Sequence, residues 1–256
     1  LATAAPPATD ATIVRQLFEE LPKGRMVGAS LLCYCMDPTW SRVYFLLGKE
    51  RKNVRWKLGS ERWSDFGGRV CAKAMSAEDT AAKEFVEETL ALVKYFQHDT
   101  LPRTQWEDIA ESLRQGEYTF QLTFGVVDPE DASNTRNYVT FVKQVPWDPE
   151  ALSRFETCRE MMMNPSSYID SLPWRSYICN NPGMMPGMQV KRDYMEKKVL
   201  GLWSIPQVRH AVEYNGVLAR KDGKVERCKS SFTGTMELVL SELAFAHPEC
   251  VHDSAI

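Results

Sequence analysis

Little in this sequence suggests a scaffold held together by cross-links or metal-binding thiols. Its seven cysteines, Cys33, Cys35, Cys71, Cys158, Cys179, Cys228 and Cys250, are odd in number and include no CxxC pair. In a chain of 256 residues that argues against both a disulfide framework and a structural zinc site. They read as thiols of a reducing compartment. The histidines, His98, His210, His247 and His252, show no HxxxH or HxH spacing, so no histidine metal site is expected. No apolar run approaches the roughly 20 residues that span a bilayer, and a soluble protein is expected. Glycine and proline, 14 of each, are close to ordinary usage and exclude collagen-like or low-complexity chains. A net charge of −3 excludes a wholly cationic nucleic-acid binder. No internal repeat is visible.

What is present is a mixture of strand and helix patterns. Residues 1–12, Ala/Pro/Thr-rich after Leu1, read as a flexible lead-in. They fit a removed presequence, a trimmed chain or a partly ordered one, and a cleaved organellar peptide would place the protein in the mitochondrial matrix. Val14, Leu17, Phe18 and Leu21 at helical spacing, with Asp10 as cap, predict a short helix. Val27–Met36 and Val43–Leu47, separated by Asp37-Pro38-Thr39, predict a strand, a turn and a strand. Cys33 and Cys35 then share one face of the first strand and belong to the core. Further strands are expected at 118–126, 137–145 and 199–205, with helices at 78–93, 101–115, 149–163, 206–214 and 232–244. Residues 164–190, rich in Pro, Gly, Asn and Ser, form a long insertion before the last of these strands, a lid or a partner surface. Strands and helices interleave without regular β-α-β alternation, which favours one domain over 13–256 with a mixed α/β sheet between helices.

The segment richest in chemistry is Ala81-Ala82-Lys83-Glu84-Phe85-Val86-Glu87-Glu88-Thr89-Leu90. Glu84, Glu87 and Glu88 stand at i, i+3 and i+4 and share one helix face, while Ala82, Val86, Leu90 and Val93 form a stripe on the other. Like charges at this spacing cost a few tenths of a kcal/mol each, so the cluster opposes its own helix unless a cation lies over it. A hard divalent cation suits oxygen ligands of this kind. An ordinary solvated acidic face is the alternative. Gly67-Gly68 lies upstream, where glycine permits close backbone approach and lets a carbonyl act as a ligand.

Residues 68–91, read as Gly-x14-Lys-Glu-Phe-x-Glu-Glu-x-Leu-Ala, resemble the Nudix box. The family pattern is Gly-x5-Glu-x7-Arg-Glu-hydrophobic-x-Glu-Glu-x-Gly-hydrophobic, and Trp63-Ser64-Asp65-Phe66-Gly67-Gly68 resembles its lead-in. Three positions depart from it: Ala74 replaces the first glutamate and is followed by one extra residue, Lys83 replaces the arginine, and Leu90 replaces the glycine. The resemblance implies a Nudix-like α/β/α sandwich and a metal-dependent pyrophosphohydrolase that cleaves a nucleoside diphosphate linkage. It implies that Glu84, Glu87, Glu88 and the Gly68 carbonyl hold Mg2+ or Mn2+, that Lys83 orients Glu87, and that Glu84 and Glu87 serve catalysis. Glu196, in a late segment similar to that of many family members, is the candidate general base outside the box.

Substrate recognition is expected to rest on charge and aromatics. Residues 42–66 carry net charge +4 and residues 191–229 carry +5 in an acidic protein, which would focus charge at one cleft. Trp56, Lys57, Trp63 and Arg69 are the substrate-binding candidates, since aromatic and basic groups together suit base stacking and phosphate contact. Solvated loops are the alternative reading. If both segments border the carboxylate helix, an RNA 5′ end is the expected substrate, for removal of pyrophosphate or a cap. An acidic enzyme of this sort would need an RNA-binding protein as partner. Departures at Ala74 and Leu90, with the long insertion, keep open a non-catalytic Nudix-fold subunit of a ribonucleoprotein assembly. A small nucleotide diphosphate, such as ADP-ribose or a dinucleoside polyphosphate, is a further substrate class.

Overall fold

Alternating burial in the longest strands sets the layers. A computed structural model of the chain describes residues 14–15, 25–39, 41–52, 60–70, 76–103, 105–128, 131–163, 192–220 and 222–246. In β2 (Arg25–Asp37), Ala29, Leu31, Cys33 and Cys35 face one hydrophobic cluster, while Leu32 and Tyr34 face a second. β3 (Arg42–Glu50) divides in the same way, with Leu46 on the first side and Val43, Phe45 and Leu47 on the other. This period of two, buried on both faces, requires helices above and below the sheet.

The helices supply both covers. α1 (Ala77–Glu88), α2 (Glu107–Arg114) and α3 (Glu150–Met163) bury their apolar residues in the first cluster. α4 (Ile205–Glu213) and α5 (Ser230–Ala246) bury theirs in the second. The remaining strands are β1 (Val14–Arg15), β4 (Trp63–Ser64), β5 (Phe66–Arg69), β6 (Phe120–Asp128), β7 (Asp131–Gln144), β8 (Lys197–Ser204), β9 (Val217–Ala219) and β10 (Val225–Arg227). Among the described residues the main sheet runs β1-β6-β7-β2-β3-β4, with β5 also on β2 and β8 also on β3. β2 and β7 pair in parallel and the other pairs are antiparallel, so the sheet is mixed as expected.

Several sequence expectations shift. Val14–Arg15 is a strand on the edge of β6, not the start of a helix, because an unpaired β6 edge is available there. Leu17, Phe18, Leu21, the lead-in 1–12 and the insertion 164–190 lie outside the described residues. The hairpin β9–β10 follows the strand taken from sequence as the last. The helix expected over 78–93 stops at Glu88, and the stop is informative. Leu90 N donates to Glu87 O and Ala91 N to Val86 O, the bond pair of a Schellman terminus. That motif needs a left-handed residue just past the cap, and Leu90 takes it with φ +56°. At the position where the resembling pattern has glycine, Leu90 thus adopts a left-handed conformation that glycine takes more readily. The strain, about 1–2 kcal/mol, is offset by a side chain that is fully buried.

α1 lies directly over β5 and β2. Ser76 and Asp79 form a capping box at its start. Phe85 meets Phe66 edge-on at 5.6 Å between ring centroids and is 1% exposed. Phe85 thereby fixes the height of the carboxylate face above the glycine strand. Phe85→Ala is expected to cost about 3–5 kcal/mol in urea unfolding, from lost transfer energy and the residual cavity. A loss below about 1 kcal/mol would show that α1 is not anchored there.

Candidate metal centre

β5 delivers Gly67 and Gly68 to the underside of α1. A β-carbon on Gly68 would stand 2.2 Å from Glu84 Oε1, so only glycine lets this carboxylate lie against the strand. Glu87, one turn on, is 3.6 Å from the Lys83 ammonium, the pairing expected of these residues. Glu87 and Glu88 are 8% and 2% exposed, which excludes an ordinary solvated acidic face for them.

Glu88 is held differently. Its Oε2 accepts the Gly67 N–H at 2.9 Å, and its Oε1 lies 3.2 Å from Lys197 Nζ. That ammonium is fully buried and donates to Glu50 Oε1 at 2.7 Å, Ser64 Oγ at 2.9 Å and the Asp65 carbonyl at 3.1 Å. Three protons on nitrogen match these three acceptors. Lys229 Nζ pairs with the same Glu50 Oε1 at 2.5 Å. Carboxylate oxygens of Glu50, Glu88 and Glu196 lie within 4.8 Å of one another.

Local backbone geometry puts Lys197 there. β8 pairs with β3 in regular register from Tyr44–Ser204 to Lys49–Val199, then slips so that Glu50 faces Lys197. The bulge re-aims the strand, and Lys197 shares the buried side with Leu200 while Val199 is 43% exposed. Gly48 makes room for the stem, since a β-carbon there would be 2.8 Å from Lys197 Cδ.

The electrostatics follow from this packing. Burial by itself would lower the Lys197 pKa, but Glu88 and Glu50 outweigh it and hold the ammonium above the ordinary lysine range. Burial likewise opposes ionisation of Glu50, yet Lys197 and Lys229 bring its carboxyl below the usual value. Burial drives the deeper Glu88 carboxyl upward against the pull of Lys197.

The donor set fits a divalent cation in part. At the edge of α1 beside Lys83, the outer edge, Glu84 and Glu87 offer hard oxygens, Glu84 next to the cradle that a β-carbon on Gly68 would fill, while the Gly68 carbonyl oxygen lies against Gly28 of β2. Glu88 does not fit, because both of its oxygens face donors of the protein itself.

Other candidates separate. Glu196 joins the carboxylate group at half-burial, next to Lys197. Trp63 is 3% exposed and packs edge-on against Trp203 at 5.0 Å. It is core, so its expected role as a stacking surface for substrate is corrected. Arg69 is exposed at the end of β5, opposite Gly28. Trp56, Lys57 and Ala74 lie outside the described residues. The two basic segments do meet, but several of their charges face acids: Lys49 pairs with Glu226, Lys198 with Glu61, and Lys229 with Glu50. Sequence reasoning missed Glu50, Lys197 and Lys229 as members of the centre. A glutamate ending an apolar strand, and a lysine opening one, were the only signals.

No protein-family model matches this sequence, and no curated protein matches it. Solved structures with a similar chain path include a MutT/Nudix family protein from Enterococcus faecalis, 12% identical, with TM-score 0.45 over 92% of this chain and 69% of that one. The NUDIX domain of Shewanella oneidensis NrtR, solved with ADP-ribose, is 9% identical, with TM-score 0.40 over 86% and 90%. A C. elegans Ap4A hydrolase is 10% identical, with TM-score 0.35 over 84% and 96%. These likenesses concern the course of the chain alone.

Lys197→Met leaves a buried acidic group without its ammonium and is expected to cost about 3–5 kcal/mol in urea unfolding. Lys198→Met, next in sequence but in a half-exposed pair with Glu61, is expected to change stability by about 0–1 kcal/mol. Equal effects would mean that Lys197 is not the neutralising group.

Proposed function

We propose that this chain is a divalent-cation-dependent pyrophosphohydrolase of the Nudix type acting on a nucleoside diphosphate linkage. The observation that carries the reading is the Glu84 carboxylate seated against Gly68, with Glu87 one turn along the same face. Glu84, Glu87 and the Gly68 carbonyl would hold Mg2+ or Mn2+. Such an ion neutralises a diphosphate and acidifies bound water. Lys83 keeps Glu87 turned toward the outer edge, across the 3.6 Å ion pair. Glu196, half-buried beside the inner carboxylates, is the proposed acceptor of the attacking water's proton. Attack at phosphorus breaks the bridging P–O bond and releases two phosphate-terminated products.

An RNA 5′ end is the substrate proposed within this class, delivered by an RNA-binding partner. It is supported by the basic segments 42–66 and 191–229 meeting at the centre. A second reading, a Nudix-fold subunit that binds without turnover, is favoured by one observation: an ammonium of the protein lies where the resemblance puts a metal at Glu88.

One assay separates them. With Mg2+ or Mn2+, phosphate and pyrophosphate release is followed from ADP-ribose, a dinucleoside polyphosphate, 5′-triphosphate RNA and capped RNA. Wild type is expected to turn over at least one of these, to lose activity with EDTA, and to fall by ~100-fold or more in Glu87→Gln. Identical, metal-insensitive rates for both proteins on every substrate would remove catalysis and leave the binding reading.

A further inference from the structure

The inner carboxylates raise a question that the outer pair does not. Glu50, Glu88 and Glu196 come from β3, α1 and the turn before β8; their oxygens lie within 4.8 Å of one another, and Glu50 and Glu88 share a single nitrogen. Oxygens about 2.8 Å from a central atom at tetrahedral angles stand ~4.6 Å apart, so the spacing is that of an ammonium's shell and wider than a divalent ion's. Between Glu50 and Glu88 stands Lys197 Nζ, bonded to Glu50, Ser64 and the Asp65 carbonyl and 3.2 Å from Glu88. Three features build that placement into the fold. The slip in β8 register aims the side chain inward, Gly48 admits its stem, and Ser64 and Asp65 supply the remaining acceptors.

We propose that Lys197 is a tethered cation that takes the place of a divalent ion between Glu50 and Glu88, so that Glu88 is a partner of the protein's own ammonium and not a metal ligand. Divalent binding is thereby confined to the outer edge formed by Glu84 and Glu87. An ammonium held by the chain cannot dissociate, so Glu50 and Glu88 keep a cation between them whatever the metal supply. A divalent ion would require oxygens at about 2.0–2.2 Å and could enter only if Lys197 withdrew. The proposal depends on the preceding reading only for the outer ion.

The test counts Mn2+ bound at saturation by equilibrium dialysis with metal analysis, and needs no turnover. Lys197→Ala opens the space between Glu50 and Glu88, and Lys197→Met removes the charge while filling more of the channel. Each is expected to bind one more Mn2+ than wild type, and the added ion is expected to disappear in Lys197→Ala/Glu50→Gln. Should either variant unfold alone, it is expected to regain a cooperative thermal transition with Mn2+. Equal Mn2+ counts in wild type and both variants, or variants that stay unfolded at saturating Mn2+, overturn the proposal. Loss of the outer ion in Glu87→Gln, with the inner gain intact in Lys197→Ala, would preserve this inference whether or not any diphosphate is cleaved. An extra ion in Lys197→Ala alongside no bound ion and no turnover in wild type would uphold it while removing the functional reading.

Discussion

An ammonium removed from water survives only where surrounding oxygens replace its hydration shell and nearby carboxylates balance its charge. Lys197 meets both conditions. Its three protons have three acceptors, and Glu50 and Glu88 supply opposite charge within hydrogen-bond or ion-pair distance. The neighbourhood depends on this arrangement. β3, β4 and α1 each bring an oxygen to the nitrogen that β8 carries, so the layer over the sheet and the sheet itself are tied at one point. Without it, Glu50 would keep its pairing with Lys229 while Glu88 lost the ammonium 3.2 Å away.

The same constraint divides the carboxylate helix into two halves with different chemistry. Glu88, at the inner end, is committed to the Gly67 N–H and the lysine. Glu84 and Glu87, toward the outer edge, face the glycine strand and Lys83. The cation that the i, i+3, i+4 spacing calls for is thus supplied twice by the protein, before any ion from solution is considered.

Much of the fold was legible in local patterns. Period-two burial in 27–36 and 43–47, and the helical stripe through Ala82 and Val86, are consequences of side chains alternating about a strand or spiralling about a helix. The turn at Asp37 and Thr39 was legible for a similar reason, since Asp37 caps the Thr39 N–H at 2.8 Å. Val14–Arg15 was misread because its strand state comes from an edge of β6 more than 100 residues away, not from its own spacing. Trp63 was misread because its basic neighbours suggested a surface, whereas its indole packs on Trp203.

What the sequence by itself determined is the acidic face of α1 and the glycine strand before it, because both follow from short-range spacing. Even Leu90, a departure on paper, keeps the left-handed terminus, because hydrogen bonds to Val86 and Glu87 set that conformation locally. Only the tertiary structure decided which cation meets Glu88. Lys197 and Glu50 lie 147 residues apart, and a one-residue slip between β3 and β8 chooses Lys197 over Lys198 as the inward side chain. Register between distant strands is set by the whole sheet, so no local pattern could have announced it.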